Sequence, residues 1–215
     1  MCLSACAAPP RPEAPPPGPP APGTPAMVYE ITESDVTVRV YRDGPLAELG
    51  HNHVISSTAL GGRVELREPL SRSTLELSLP LEELVVDEAA RRLVAGADFP
   101  DNLTEADRAG TRRNMLGPAL LDAARFPVLR LTSVAVEGDA GAFRVTARAD
   151  LAGRSREVVV PVLIELGDGV LAARGEFTLT HADLGLVPFS AALGALRVRD
   201  DMLVSYRLVA RRTGS

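Results

Sequence analysis

Val36, Val38 and Val40 alternate with Thr37, Arg39 and Tyr41, the period-two pattern of a strand with one buried face. A second extended stretch runs from about residue 51 to 66, broken or bulged at Gly61-Gly62. Leu75, Leu77, Leu79 and Leu81, with Glu76 and Ser78 between them, form a third. After Asp87 the period changes. Asp87 is placed to cap a short helix carrying Glu88 and Arg91/Arg92 at helical spacing. Thr104 is the N-cap of a second helix, Gly117-Pro118 ends it, and Pro118 opens a further helical turn to about Ala124. Phe126-Pro127 returns the chain to strand. Extended runs follow at about 128–137, 142–150, 155–166 and 169–180, with a last one at about 198–210. The turns between them, Glu137 to Gly141, Ala152-Gly153 and Gly167-Asp168-Gly169, have hairpin chemistry.

This order predicts an all-β domain over residues 27–211: about eight antiparallel strands, with helices confined to 87–125. Successive hairpins in that number favour an up-and-down barrel, because closing the sheet removes its edges. An eight-stranded barrel has room for packed side chains or for one ligand. Its inward positions here are leucine, valine and alanine, and the small residues Ala147, Ala149, Ala172 and Ala173 leave space for a cavity.

Residues 1–26 have a different character. Ten of the chain's 18 prolines lie between Pro9 and Pro25, an extended spacer that cannot bury a core. Ahead of it, Leu3-Ser4-Ala5-Cys6 looks like a bacterial lipobox, in which the cysteine becomes diacylated. A lipid anchor on Cys6 would hold the domain at the periplasmic face of a bacterial membrane. Only Met1 and Cys2 precede the motif, so this expectation requires a signal peptide from a start further upstream. Cys2 and Cys6 are the only cysteines and both precede the domain, which therefore has no internal disulfide. A net charge of −5 argues against a nucleic-acid partner. The lack of tryptophan and the 4% aromatic content argue against a stacking platform.

The candidate chemistry is concentrated in Gly50-His51-Asn52-His53. Two of the three histidines sit here as His-x-His, and on a strand such a pair shares a face. The pattern fits a metal site, a polar spot in a cavity, or a hydrogen-bonded pair that fixes a turn. As a metal site, His51 and His53 would need His181 as third ligand. The glutamate that usually follows His-x-His in cupin barrels is absent, since Ser57 and Thr58 occupy those positions. There is no G-x-S-x-G elbow, P-loop or G-x-G-x-x-G turn, which is consistent with a non-enzyme.

Several segments in order resemble the YceI-like family. They are Gly50-His51-Asn52-His53 with Gly61-Gly62-Arg63-Val64; Leu116 and Leu120-Leu121-Asp122-Ala123 with Phe126-Pro127; Asp150-Leu151 and Gly153 with Val158 to Val162; and Phe177 to Gly185. Three features depart from that pattern. Leu120-Leu121 replace a bulky aromatic pair, Met115 replaces a histidine, and the 87–114 segment is long. All three fall where a lid or cavity mouth is expected. The resemblance implies a lipocalin-like barrel that binds a polyisoprenoid or isoprenoid quinone without catalysis. The residues expected to meet the lipid are Val38, Val40, Leu77, Leu79, Phe126 and Phe189, with His51 and His53 as polar contacts. No cofactor is then required beyond the bound lipid itself. The competing expectations are a metal-dependent enzyme or metal sensor using the three histidines, and a purely structural module.

Overall fold

The structure is a computed structural model that describes residues 26–213. Cys6 and the proline spacer lie outside the described residues. The strands are β1 (Met27–Asp43), β2 (His53–Ser57), β3 (Gly61–Leu66), β4 (Thr74–Pro80), β5 (Val85–Val86), β6 (Val128–Asp139), β7 (Ala142–Leu151), β8 (Arg154–Gly167), β9 (Val170–Thr180), β10 (Ser190–Ala191) and β11 (Leu196–Arg212). Two helices, α1 (Ala89–Ala95) and α2 (Glu105–Leu116), lie between β5 and β6.

Eight of these strands form a closed antiparallel barrel in the order β11-β9-β8-β7-β6-β4-β3-β1, with β1 returning to pair with β11. The closing pair runs from Tyr29↔Arg212 to Asp43↔Arg197. Collinear β2 and β3 both run antiparallel to β1, the first along Val36–Val40 and the second along Met27–Glu30. They are the single broken stretch read from the sequence, with the break at residues 58–60, just before the glycine pair. Three hairpins close in two-residue turns with positive φ at both positions: Ala140-Gly141, Ala152-Gly153 and Asp168-Gly169. That turn type matches the right-handed twist of the flanking strands.

The wall is incomplete at the end where β1 finishes and β2 begins. There β4 pairs with β3 but not with β2, and the 81–125 excursion fills the gap, with β5 pairing to β2. A second gap opens between β8 and β9, whose ladder ends at Leu163↔Arg174. Pro161 has no N–H to continue it. Gly175 faces this point, and a Cβ there would overlap the Pro161 carbonyl. Tyr206 crosses the bare glycine, and its hydroxyl donates to the Pro161 carbonyl at 2.8 Å. Burial pushes the Tyr206 phenol well above its ordinary range, which keeps it a donor.

In the helical excursion, Thr104 caps α2 through a reciprocal pair of bonds with Asp107. The turn from Pro118 to Ala124 is not helical, contrary to the sequence expectation. Instead the chain doubles back under α2, and the amides of Leu121, Asp122 and Ala123 donate to the carbonyls of Met115, Gly117 and Leu116. Those carbonyls at the end of α2 need partners, and a continued helix would have left the fold-back impossible. Asp87 is not the N-cap of α1 either. Glu88 occupies that position, without a side-chain cap bond, and Asp87 is buried behind it.

Tyr206→Phe keeps the ring but leaves the Pro161 carbonyl without its donor. A loss of about 1–3 kcal/mol in unfolding free energy is expected, read by urea denaturation.

Candidate ligand cavity and its mouth

The register sorts the inward residues into rows around the lumen. His53, Val40, Met202 and Leu179 are successive partners across four strands, and all line one cavity. The next row is Ile55, Val38, Val204 and Phe177, and the one after it is Ser57, Val36 and Tyr206, completed by Gly175. On the opposite wall, Leu77 and Leu79 of β4 stand beside Leu131 and Leu129 of β6. β7 contributes Ala147 and Ala149, and β9 contributes Ala173. These small side chains, with Gly175, leave the barrel unfilled. The resulting cavity measures about 820 Å³, inside the range of ligand sites.

Of the residues expected to meet a ligand, Val38, Val40, His53, Leu77, Leu79 and Phe189 line this cavity. His51 and Phe126 do not. His51 precedes β2, so the same-face argument for His-x-His does not apply to it. The strand begins only at His53 because Asn52 takes over the ladder with its side chain. Its Oδ1 accepts the Arg42 N–H at 2.9 Å and its Nδ2 donates to the Asp98 carbonyl at 2.9 Å. Phe126 packs on the outside over Gly153, with the Arg125 guanidinium 5.1 Å from its ring centre. Ala172 also faces away from the cavity, as the alternate neighbour of Ala173 must. Met115, Leu120 and Leu121, the departures noted above, all line the cavity from α2 and the turn below it.

His53 is held by a buried charge cluster that the sequence did not reveal. Asp87 and Arg92 are both 0% exposed. Asp87 Oδ2 lies 2.6 Å from His53 Nδ1, and Oδ1 accepts the Val54 N–H at 2.9 Å and Arg92 at 2.5 Å. Asp87 also gives its own N–H to the Val54 carbonyl, so it extends the β5–β2 ladder with backbone and side chain together. This requires the left-handed backbone it adopts, φ 55°, a conformation that Asp tolerates better than most residues. Arg92 spends its remaining donors on the carbonyls of Asn52 and Pro100. Arg108 and Arg112 of α2 bind the carbonyls of Asp87, Leu84 and Glu82. Burial raises the Asp87 carboxyl, but hydrogen bonds and charge from His53, with Val54 and Arg92, outweigh it and hold the group below the usual carboxylate range.

His181, 6% exposed, lines the cavity from the end of β9, and its Nδ1 is 2.8 Å from the Asp200 carbonyl. The three histidines therefore do not converge. His51 and His53 have ring centres 6.5 Å apart, and His181 follows β9, three strands around the barrel from His53. Among the described residues no group of three or more His, Cys, Asp or Glu side chains is arranged to hold a metal ion. The three-histidine site entertained from the sequence is not assembled.

Asp87→Asn preserves the shape and the tolerance of positive φ but leaves Arg92 buried beside a neutral amide. Unfolding free energy should fall by about 3–5 kcal/mol at neutral pH. Because the Asp87 carboxyl is depressed in the fold, its contribution is complete above the unfolded carboxylate pKa. It drains away as pH falls through the lower folded value. The gap between the parent and Asp87→Asn should therefore begin to narrow below about pH 4 and close only below the folded value, which denaturation at a series of pH values will show.

Comparison with known proteins agrees with this architecture. Burkholderia cenocepacia BcnA superposes with a TM-score of 0.58 at 12% identity, covering 82% of this chain and 95% of that one. A polyisoprenoid binding domain from Saccharophagus degradans, implicated in plant cell wall breakdown, gives 0.55 at 12% identity, covering 87% and 99%. The Campylobacter jejuni YCEI protein gives 0.52 at 10% identity, covering 75% and 85%. At these identities the likeness is one of fold. No curated protein matches the chain. The profile of the YceI-like domain, however, matches residues 32–210, nearly the whole barrel, and the chain belongs to that family.

Proposed function

We propose that this protein binds a long-chain apolar lipid, a polyisoprenoid or an isoprenoid quinone, inside the barrel, and carries or stores it in the cell envelope without chemical change. One observation carries the reading: a cavity of about 820 Å³ walled mainly by valine, leucine, isoleucine and alanine, with polar side chains in the minority. Such a lumen binds by excluding water, at about 0.8 kcal/mol for each CH₂ buried. A prenyl chain therefore binds tightly with few polar contacts. The polyisoprenoid binding described for the Saccharophagus degradans neighbour supports the same class of ligand.

Native mass spectrometry of protein purified from its own cells is expected to show a long-chain lipid adduct. Ala149→Phe, which puts a ring into the lumen, should lower the adduct fraction several-fold while the far-UV spectrum stays β-rich. A chain that never carries lipid, from cells or after incubation with prenyl lipids, would contradict the reading.

The location proposed with this function is the periplasmic face of a bacterial membrane, through an acylated Cys6. At about 3.1 Å per residue, an extended Pro9–Pro25 spacer would hold the barrel roughly 50 Å from the bilayer. Expressed from its natural locus, the protein should fractionate with membranes and carry acyl chains on Cys6. Cys6→Ser should release it. Cytosolic, unacylated protein in both cases would refute the anchor.

A further inference from the structure

We propose that His53 is the polar anchor of the lumen, its Nε2 accepting a hydrogen bond from the hydroxyl of a long-chain alcohol or phenol whose tail fills the cavity. This rests on the apolar-ligand reading and adds the chemistry of the ligand's head.

Three observations carry it. First, His53 stands in an outer inward row of the barrel, with Val40, Met202 and Leu179, and Val198, His181 and the 186–190 segment line the lumen beyond it, so its ring meets whatever occupies that end. Second, its tautomer is fixed. Asp87 accepts bonds from Val54 and Arg92 as a carboxylate, so the short contact to Nδ1 has the ring donating. Nε2 then carries the lone pair of the neutral ring, and it makes no hydrogen bond to any described residue. Third, the support is rigid. Asp87 and Arg92 are fully buried and bonded to the 52–54 stretch, to Pro100 and to Arg108 of α2, which sets the orientation of the ring before a ligand arrives. A carboxylate behind an imidazole also strengthens the opposite nitrogen as an acceptor, the principle seen where carboxylates back metal-binding histidines.

An acceptor toward the end of a mainly apolar cavity selects for a donor. An alcohol or phenol completes the pair, whereas an ether, a hydrocarbon or a quinone carbonyl offers no proton. His181 is the rival anchor, since its Nδ1–H is likewise committed, to the Asp200 carbonyl. It stands three strands away, about 14 Å along the sheet, and a neutral carbonyl backs it less strongly than a carboxylate backs His53.

The test uses the full chain freed of lipid, at pH 8, with geranylgeraniol and its methyl ether as probes in equilibrium binding. The alcohol is expected to bind about 3- to 10-fold tighter than the ether, the value of one hydrogen bond. In His53→Phe that ratio should fall to about one, and in His181→Phe it should persist. Should His53→Phe fail to fold, ¹⁵N-histidine spectra of the parent protein give the answer, with the His53 Nε2 resonance shifting with the alcohol and not with the ether. Equal affinity of the parent for both probes, or a ratio that survives His53→Phe or vanishes in His181→Phe, overturns the anchor while leaving the lipid-binding reading intact. An Nε2 resonance unmoved by the alcohol does the same. Binding of neither probe overturns both.

Discussion

The pairing of the first long strand with the last holds the rest of the structure in place. β1 and β11 meet along almost their whole length, and this contact turns a sheet with two open edges into a barrel with an inside. Every inward residue owes its position to that closure, because the side chains alternate and the register assigns each to a row. Eight strands make a lumen that large side chains would fill. Ala147, Ala149, Ala173 and Gly175 do not fill it. The ligand space thus follows from closure combined with small residues on β7 and β9.

The barrel wall fails in two places, and each failure has a local remedy made from polar groups. Between β8 and β9 the missing N–H of Pro161 ends the ladder, and Tyr206 supplies a donor across Gly175. Between β2 and β4 the remedy is larger. There the 81–125 excursion covers the gap, and arginines fasten it: Arg92 to Asn52, Asp87 and Pro100, and Arg112 to Glu82 and Leu84. Burying an aspartate and an arginine together carries a large desolvation penalty, offset only when the remaining donors and acceptors are satisfied. In this structure they are, and the product is an imidazole aimed in a fixed direction at the end of an apolar lumen.

The sequence was informative wherever a local rule governs the outcome. Period-two alternation located the barrel strands, and the glycine turns located three hairpins whose positive φ values few residues adopt. The Thr104 cap was equally legible, because its partner Asp107 is three residues away. What escaped was long-range. Asp87 has the type and position of a helix cap, and nothing nearby in sequence reveals that Val54 and His53 will claim its carboxylate. His51 and His53 look equivalent until Asn52 is seen to replace the ladder with its side chain. Phe126 reads as a core aromatic, yet the bare Gly153 on the outer surface is the place that accepts its ring.

The central claim is that the lumen itself takes the hydrocarbon chain. The direct measurement is isotope-filtered NMR of the protein with a ¹³C-labelled prenyl lipid, recording transfer from the chain to protein methyl groups. The account predicts contacts to Val38, Leu79, Ala149 and Val204, from rows at different depths of the barrel. Contacts confined to the outer surface around Phe126 and Val128, with the inward methyls silent, would contradict it.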